Sequence, residues 1–268
     1  MKKTYPSVLS IAGSDSGGGA GIQADIKSIS ACGAYAASVI TATTAQNTKG
    51  VIDIHSIPIA HVQKQIQAVL EDISFGAIKV GMLQSCEVIK LVQSQLRQYN
   101  QKNIVIDPVM VATSGDKLIQ DEAIACLSQF LPDALLITPN AKEAEILIGE
   151  TINHLNAASM VKKIGDKFKT SILLKGGHIN NQDKMVKDYL FLYETNNIIT
   201  IENPKINTQN THGTGCSLSS SIAAFISLGE DLKSAVIKGC TYVHHAIEQG
   251  KDISLGHGHG PINHFNIQ

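Results

Sequence analysis

Short apolar segments alternate with amphipathic ones along most of the chain, and this alternation restricts the fold more than any other feature. The apolar segments are rich in β-branched residues and are bounded by glycine, proline or polar residues, as buried strands are. The segments between them carry apolar residues at helical spacing. The alternation predicts an α/β fold with a mostly parallel central sheet and helices on both faces. Predicted strands lie at 8–12, 37–43, 51–57, 77–80, 104–107, 135–138 and 171–175, with a hairpin at 189–194 and 198–202.

Composition excludes several classes of function. The 268 residues contain no internal repeat or linker, so we expect one domain over residues 1–268. A net charge of -1 and an aromatic content of 4% argue against a nucleic-acid partner. No apolar run is long enough to span a membrane and no signal peptide precedes the first strand, so we expect no membrane partner and a cytoplasmic location. The five cysteines are scattered, without a C-x-x-C pair, and we expect reduced thiols.

The most informative stretch is a glycine-rich loop, Thr211-His212-Gly213-Thr214-Gly215-Cys216, that leads into a predicted helix ending near Gly229. A glycine turn at a helix N-terminus directs backbone N–H groups and the positive end of the helix dipole at one point, which forms an anion hole. The same field would favour the thiolate of Cys216. On this stretch alone, a tight turn above a buried cysteine is an equal alternative.

Polar residues follow three of the predicted strands. Asp107 ends one strand, and we favour a ligand site there because open α/β sheets bind ligands at the carboxyl ends of their strands. Asn140 and Glu143 match a helix capping box, which explains them without a further role. Lys175 either reaches a phosphate or is solvated. Because parallel strands share one carboxyl edge, we expect these residues to converge on the anion hole.

A second glycine-rich loop, residues 13–21, connects the first strand to a helix. It contains neither G-x-G-x-x-G nor a P-loop, although its glycines would let a substrate approach the backbone closely. Asp25 is placed in the first turn of that helix, where complementing the helix dipole is the stronger explanation. Gln46 is placed just past a strand. Its amide both donates and accepts, which suits recognition of a heteroaromatic ring, and a turn residue is the alternative.

Several segments share their residues and their order with one family: 12–25, 44–48, 81–83, 107–110, 138–140, 175–178, 211–216 and 258–261. Together they resemble the bacterial hydroxymethylpyrimidine/phosphomethylpyrimidine kinases of thiamine synthesis. The resemblance implies a ribokinase-like fold, a homodimer and two ATP-dependent transfers. The first phosphorylates the hydroxyl of 4-amino-5-hydroxymethyl-2-methylpyrimidine, and the second converts the monophosphate to the diphosphate. It also implies Mg²⁺ and a monovalent cation such as K⁺.

The resemblance further implies a role for each matching residue. The pyrimidine pocket would consist of Gln46, which reads the ring, with Gly13, Asp25, Met82 and Val109. The phosphoryl group would be stabilised by Gly213, Thr214, Gly215, Cys216 and Lys175, ATP would contact Asn140, Lys175, Thr211, His212 and Gly215, and Mg²⁺ would be held by Asp107 and Glu143 with Asn140, partly through water.

Cys216 stands where many sugar kinases of the superfamily have an aspartate base. A thiol whose pKa falls below its usual value of about 8.5 at a helix N-terminus would accept the proton of the substrate hydroxyl. The second substrate attacks through an ionised phosphate oxygen and needs no base. The alternative is that Cys216 is a pocket residue without a proton-transfer role.

Two other functions are weighed against this one. The first is a pyridoxal or pyridoxine kinase of the same superfamily, but segments 46–48 and 175–178 follow the pyrimidine-kinase pattern, so we expect pyridoxal only as a side activity. The second is a non-catalytic module that binds a pyrimidine or nucleotide, which would lack the phosphate and metal groups that this chain retains. Residues 112–116 and the segment before Thr211 are predicted lids.

Overall fold

The computed structural model describes residues 4–110, 121–177, 179 and 184–265. Within these ranges the strands are β1 (Ser7–Asp15), β2 (Tyr35–Asn47), β3 (Gly50–Ser56), β4 (Ala77–Val80), β5 (Ile104–Ile106), β6 (Leu136–Ile137), β7 (Ser171–Leu174), β8 (Met185–Leu192) and β9 (Asn197–Pro204). The α-helices are α1 (Gly21–Ala31), α2 (Ile59–Leu70), α3 (Cys86–Gln98), α4 (Asp121–Phe130), α5 (Ala141–Ile148), α6 (Ala157–Phe168), α7 (Thr214–Ser227) and α8 (Leu232–Gly250). The predicted lid at 112–116 and His178 of the segment 175–178 lie outside the described residues.

All described strands belong to one sheet with the order β3-β2-β1-β4-β5-β6-β7-β8-β9. Neighbouring strands from β2 to β7 are parallel, whereas β3, β8 and β9 run antiparallel to their neighbours. The mostly parallel sheet is therefore confirmed. That residues 1–268 form a single domain stays a prediction. Among the described helices, none combines the length and apolar character needed to cross a bilayer.

Side chains that alternate between the two faces of the strands form a hydrophobic core on each face of the sheet. Leu9 and Ile11 of β1 point to one face and pack in a cluster with residues of α2 to α6. Val8 points to the opposite face and packs with residues of α1, α7 and α8. Successive strand side chains point to opposite faces, so strands buried on both sides are apolar throughout. The predicted helix layers on both faces are confirmed.

The cysteines differ from expectation. Cys86 of α3 and Cys126 of α4 form a disulfide, so the prediction of reduced thiols is wrong for these two residues. The reason is tertiary: α3 and α4 pack side by side against one core and bring the two Cα atoms to 5.5 Å, within the range that a disulfide requires. Sequence spacing carried no sign of it. Cys32, Cys216 and Cys240 are free.

Gln46 also lies elsewhere than expected. It is inside β2, paired with Val51 of the antiparallel strand β3, and not in the turn beyond it. The threonine-rich continuation after residue 43 has the β-branched side chains that strands favour, and a partner strand is available immediately afterwards. Gln46 is therefore held by backbone pairing on a rigid hairpin.

The segment that follows α8 returns to the N-terminus of α7. There the Ser217 hydroxyl and His264 Nε2 lie 2.9 Å apart, and both residues are buried. Burial, assisted by the charge of Lys27, lowers the pKa of His264 from 6.5 to about 4. The ring is therefore neutral and accepts the serine proton.

We expect a His264→Gln variant to lose less stability than the wild type on acidification. Between pH 6.5 and about 4 the unfolded histidine binds a proton that the folded one does not, so the wild type loses stability as the pH falls through this window. Over the whole window the difference reaches at most about 3 kcal/mol, of which about 2 kcal/mol is expressed at pH 5. Urea unfolding of both proteins at pH 7.5 and pH 5 measures it. A difference between the two that does not change with pH would contradict a neutral buried His264.

Candidate active site

Polar side chains at the carboxyl edge of the sheet meet as the sequence predicted. Lys175, directly after β7, donates from Nζ to Asp107 Oδ1 at 2.8 Å and lies 3.8 Å from Glu143 Oε2. Thr138, after β6, donates to the same Asp107 oxygen at 3.2 Å. Although burial opposes the charge, Asp107 and Glu143 raise the pKa of Lys175. Lys175 is an ion-paired residue, and the alternative that it is solvated is wrong.

The first turn of α7 faces this cluster. A Cβ at Gly215 would lie 3.2 Å from Lys175 Nζ and 3.4 Å from Asp107 Oδ2. Gly213 has a φ of 82°, and a Cβ there would overlap the carbonyl oxygen of Gly19, so only glycine fits. The Thr211 carbonyl accepts from the Thr214 amide at 3.3 Å and closes the turn. First-turn amides of a helix have no partner inside it, so the predicted anion hole and the charged cluster converge.

Glu143 has a structural and an electrostatic role. It forms the predicted capping box: its Oε2 accepts from the Asn140 amide at 2.8 Å, and its own amide donates to Asn140 Oδ1 at 3.0 Å. Burial raises the pKa of Glu143 to about 7, the charge of Lys175 opposes that rise, and Asp107 adds to it. Burial is therefore the main reason that the Glu143 carboxyl binds its proton more tightly than a free one does.

The residues present fit a magnesium ion that is shared with a phosphate. In the part of the chain that the structure describes, no three His, Cys, Asp or Glu residues form a metal cluster. Mg²⁺, however, is commonly held by one or two carboxylates, with phosphate and water completing its shell. Asp107 and Glu143 offer such a pair of carboxylates on either side of Lys175.

Cys216 is not a stabilised thiolate. Desolvation in the crevice raises the pKa of its thiol to about 11, although part of the residue is exposed. The charges of Asp25 and Asp107 raise the pKa further, and Lys79 and the Gly21 amide lower it less than these effects together. The expectation of a thiolate favoured by the helix N-terminus is therefore wrong, because desolvation outweighs the helix field here.

Beneath Cys216 lies a buried ion pair that the sequence reasoning missed. Lys79 of β4 donates to both Asp25 oxygens at 2.9 and 2.8 Å, and both side chains are fully buried. Ser10 and Ser220 each donate to Asp25 at 2.6 Å. The available signal was a lysine within an otherwise apolar strand, since lysine is almost never fully buried unless it is paired.

This pairing corrects the explanation of Asp25. The first turn of α1 contains no acidic residue, so complementing the helix dipole is the wrong account. Asp25 lies deeper in the helix and neutralises Lys79. Its carboxylate is enclosed below the surface of the site. Direct contact between Asp25 and a substrate stays a prediction.

A small apolar cluster includes Val109, two residues after Asp107. A Cβ on Gly13 would overlap the end of the Met82 side chain, so the missing side chain makes room for the methionine. Met82 and Ala42 form a small buried cluster. The partly buried residues packed against it are Val51, Ile54 and Val109. Three of the predicted pocket residues, Gly13, Met82 and Val109, are thus brought together.

His212, which was predicted among the ATP contacts, lies beside Asp15 and Gln46. Its Nε2 is 2.9 Å from Asp15 Oδ2 and 3.3 Å from the Gln46 amide nitrogen. The Asp15 carboxylate also accepts from the amides of Gly17, Gly19 and Ala20, which fixes the loop at 16–20. Burial works against ionisation, but the hydrogen bonds from His212, Ala20 and Gly17 lower the pKa of Asp15. Sequence reasoning did not single out Asp15.

The segment after α8 completes the site from outside. The Thr48 hydroxyl accepts from the amides of His257 and Gly258 at 3.2 and 3.1 Å, and the Thr48 carbonyl accepts from the His259 amide at 2.9 Å. The Gly260 carbonyl then accepts from the His212 amide at 3.1 Å. This segment, residues 256–264, therefore ties the β2–β3 hairpin to the anion-hole loop.

Known proteins resemble this chain over nearly its whole length. It matches the family described as phosphomethylpyrimidine kinase over residues 15–263. It is 43% identical over 264 residues to the hydroxymethylpyrimidine/phosphomethylpyrimidine kinase of Haemophilus influenzae, with 96% of each chain covered. It is also 43% identical over 264 residues to the thiamine biosynthesis bifunctional protein ThiED of Geobacter sulfurreducens, covering 97% of this chain and 52% of that one.

A solved structure resembles the fold. Pyridoxal kinase of Bacillus subtilis, in a complex with ADP, aligns with a TM-score of 0.88 at 29% identity, covering 97% of this chain and 98% of that chain. At this similarity the two chains share one fold, and the nucleotide is a property of that neighbour. The fold is thus one that a known kinase possesses.

Two glycines of the anion-hole loop should respond differently to alanine. Gly215→Ala places a methyl group at the point where α7, Lys175 and Asp107 meet, so we expect a soluble, folded variant with at least a hundredfold lower phosphoryl transfer, the order of effect of losing an oxyanion donor. Gly213→Ala should lose stability as well, because its left-handed φ and the Gly19 carbonyl exclude a side chain. Thermal unfolding and turnover of both variants test this. Equal melting temperatures in the two variants would contradict the conclusion that only glycine fits at position 213.

Proposed function

The chain belongs to the phosphomethylpyrimidine kinase family, and we propose that its site performs two ATP-dependent phosphorylations in thiamine diphosphate biosynthesis. In the first, ATP phosphorylates the hydroxyl of 4-amino-5-hydroxymethyl-2-methylpyrimidine. In the second, the resulting monophosphate is converted to the diphosphate. The observation that carries this proposal is the meeting of the α7 N-terminus, Lys175 and Asp107 at one point.

Family membership establishes the general activity and the fold. The chain is a kinase, a phosphotransferase that uses ATP on a small molecule, and its sheet is the ribokinase-like fold. Family membership favours the pyrimidine kinase over the pyridoxal kinase and the non-catalytic module that the sequence left as alternatives.

The chemistry of transfer follows from the charges around the anion hole. Negative charge on the transferring phosphoryl group would be stabilised by the amides of residues 213, 215 and 216, whereas the Thr214 amide already donates to the Thr211 carbonyl. Lys175, charged and held by Asp107, would contact the ATP phosphates. Asn140 and Thr211, which border the same edge, would contribute further ATP contacts. In this scheme His212 belongs to the pyrimidine side.

Asp107 and Glu143 would hold Mg²⁺, with Asn140 fixing Glu143 through the capping box. When bound, Mg²⁺ supplies neutralisation of phosphate charge. The carboxylates themselves keep Lys175 protonated and oriented toward the anion hole. A requirement for K⁺ rests on the resemblance alone and stays a prediction.

A pocket between β2 and the glycine-rich loop at residues 13–21 would select the substrate. Gln46 would read the pyrimidine, while Gly13, Met82 and Val109 would enclose its faces. Asp25 would contribute from below through its ion pair with Lys79. Some activity with pyridoxal is expected, because a hydroxymethyl group on a six-membered nitrogen heteroaromatic ring is common to both substrates.

The assembly and location belong to the same proposal. We expect a homodimer, which light scattering on the purified protein would measure, and a cytoplasmic enzyme of one domain. A monomer in solution would refute the first of these expectations without touching the chemistry. The Cys86–Cys126 disulfide makes the redox state of the purified protein worth measuring alongside its mass.

A coupled assay with three acceptors tests the function. Purified protein with ATP and Mg²⁺ is offered hydroxymethylpyrimidine, its monophosphate and pyridoxal, and the products are separated by mass. We expect turnover of the first two, ending in the diphosphate, and slower turnover of pyridoxal. Turnover of pyridoxal alone would leave the anion hole in place and reject the assignment of the pocket around Gln46.

The role of Cys216 is tested by comparing the two transfers. The pKa of the Cys216 thiol is about 11, so the thiol is protonated at neutral pH in the free protein. Two roles for Cys216 are therefore compared: a base that accepts the substrate's hydroxyl proton, and a neutral residue of the pocket. If Cys216 is the base for the hydroxyl, Cys216→Ala should slow the first transfer by about a hundredfold and the second much less, since the phosphate oxygen is already ionised. Single-turnover rates with each acceptor measure this. Equal losses would leave Cys216 as part of the pocket or the anion hole.

A further inference from the structure

The side-chain amide of Gln46 lies between two groups whose hydrogen-bonding roles are fixed by other residues. On one side its amide nitrogen is 3.3 Å from His212 Nε2. On the other side its oxygen is 3.1 Å from Thr44 Oγ1. The oxygen and nitrogen of a glutamine amide are nearly indistinguishable in shape, so their assignment follows from the partners. Those partners determine what the amide can offer to a ligand.

The His212 side requires an acceptor. Asp15 Oδ2 is 2.9 Å from His212 Nε2, and an ionised carboxylate can only accept. Asp15 is buried, and hydrogen bonds keep its pKa below the usual value, so it is ionised at neutral pH. His212 Nε2 must therefore carry a proton and act as a donor. The Gln46 atom facing it is then the amide oxygen, because two donors facing each other would be unfavourable.

The Thr44 side requires a donor. Thr44 Oγ1 is 3.0 Å from the Ser14 carbonyl oxygen, which has no proton to give. The single hydroxyl proton of Thr44 is used in that bond, which leaves the hydroxyl oxygen as an acceptor. The Gln46 atom facing Thr44 is then the amide nitrogen. The contact with His212 and the contact with Thr44 therefore independently require the same orientation of the Gln46 side-chain amide.

We propose that Asp15, His212 and Thr44 are positioning residues that fix the Gln46 amide with its oxygen toward His212 and its nitrogen toward Thr44. This inference rests on the proposed function, in which Gln46 reads the substrate ring. The backbone of Gln46 is fixed as well: the residue pairs with Val51 of β3, and its backbone N–H donates to Ser16 Oγ at 2.8 Å. The amide therefore has one orientation before any substrate arrives.

The fixed orientation selects a pattern of donors and acceptors in the ligand. After its two internal contacts, Gln46 retains one oxygen lone pair and one N–H. An aminopyrimidine presents the complement at one edge, since its exocyclic amino group donates and the adjacent ring nitrogen accepts. A ring that lacks the amino group leaves the Gln46 oxygen without its donor. The three positioning residues thus set substrate specificity without touching the substrate.

A cycle of variants and ligands separates positioning from simple stability. The variants are Thr44→Val, which removes the hydroxyl, and Thr43→Val, a matched control at the exposed neighbouring strand position. The ligands are hydroxymethylpyrimidine and the same compound with hydrogen in place of the 4-amino group. We expect Thr44→Val to raise KM for the amino compound about tenfold, with kcat within about twofold. KM for the analogue should not change.

The control variants complete the test. Thr44→Ser keeps the hydroxyl and should restore the preference for the amino compound, and Thr43→Val should behave as the wild type. His212→Leu, which has no N–H donor at that position, should lose the preference as Thr44→Val does, and it provides a second variant if Thr44→Val does not fold. Dissociation constants by calorimetry confirm that KM reports binding.

Two failures can be told apart. If the wild type phosphorylates hydroxymethylpyrimidine, but Thr44→Val and His212→Leu weaken the binding of both ligands equally, the proposed function stands and the positioning role is wrong. If the wild type does not phosphorylate hydroxymethylpyrimidine at all, the proposed function fails and the specificity inference fails with it.

Discussion

The fully buried ion pair between Lys79 and Asp25 is the interaction on which the rest of the site depends. Removing an ammonium and a carboxylate from water costs several kcal/mol for each ion, and the pair tolerates this because Ser10 and Ser220 complete the hydrogen bonding of Asp25. These four residues belong to β4, α1, β1 and α7. The pair therefore joins from below the two helices whose N-terminal glycine loops form the site. Above it, Gly213 can approach Gly19 closely enough to exclude any side chain.

Charge is distributed in layers above this pair. Cys216 lies between the lower ion pair and the upper cluster of Asp107, Glu143 and Lys175, and the acidic groups on both sides help to keep its thiol protonated. The upper cluster holds two carboxylates beside one ammonium, and burial is the main cause of the raised pKa of Glu143. The positive end of α7 faces the same point. Such a site favours a ligand that carries both phosphate groups and cations.

Much of this could be predicted from the sequence, and the part that could not is tertiary. The alternation of predicted strands and helices along the chain was enough to predict a mostly parallel sheet. The convergence of Asp107 and Lys175 followed from the shared carboxyl edge of parallel strands. The capping box at Asn140 is local and was visible in the spacing. By contrast, the pKa of Cys216 depends on desolvation by surrounding residues, and the pairing of Asp25 with Lys79 joins positions far apart in sequence. No local pattern contains either fact.

The segment at 256–264 has a consequence for how the enzyme is made. Its residues hold Thr48, His212 and Ser217 in place, yet they follow every strand and helix described here. A ribosome synthesises a chain from the N-terminus, so the sheet and both glycine loops emerge before the segment that ties them together. The core built by α2 to α6 can therefore form on a nascent chain before residues 256–264 have been synthesised. The contacts to Thr48, His212 and Ser217 are the last of the site to become possible.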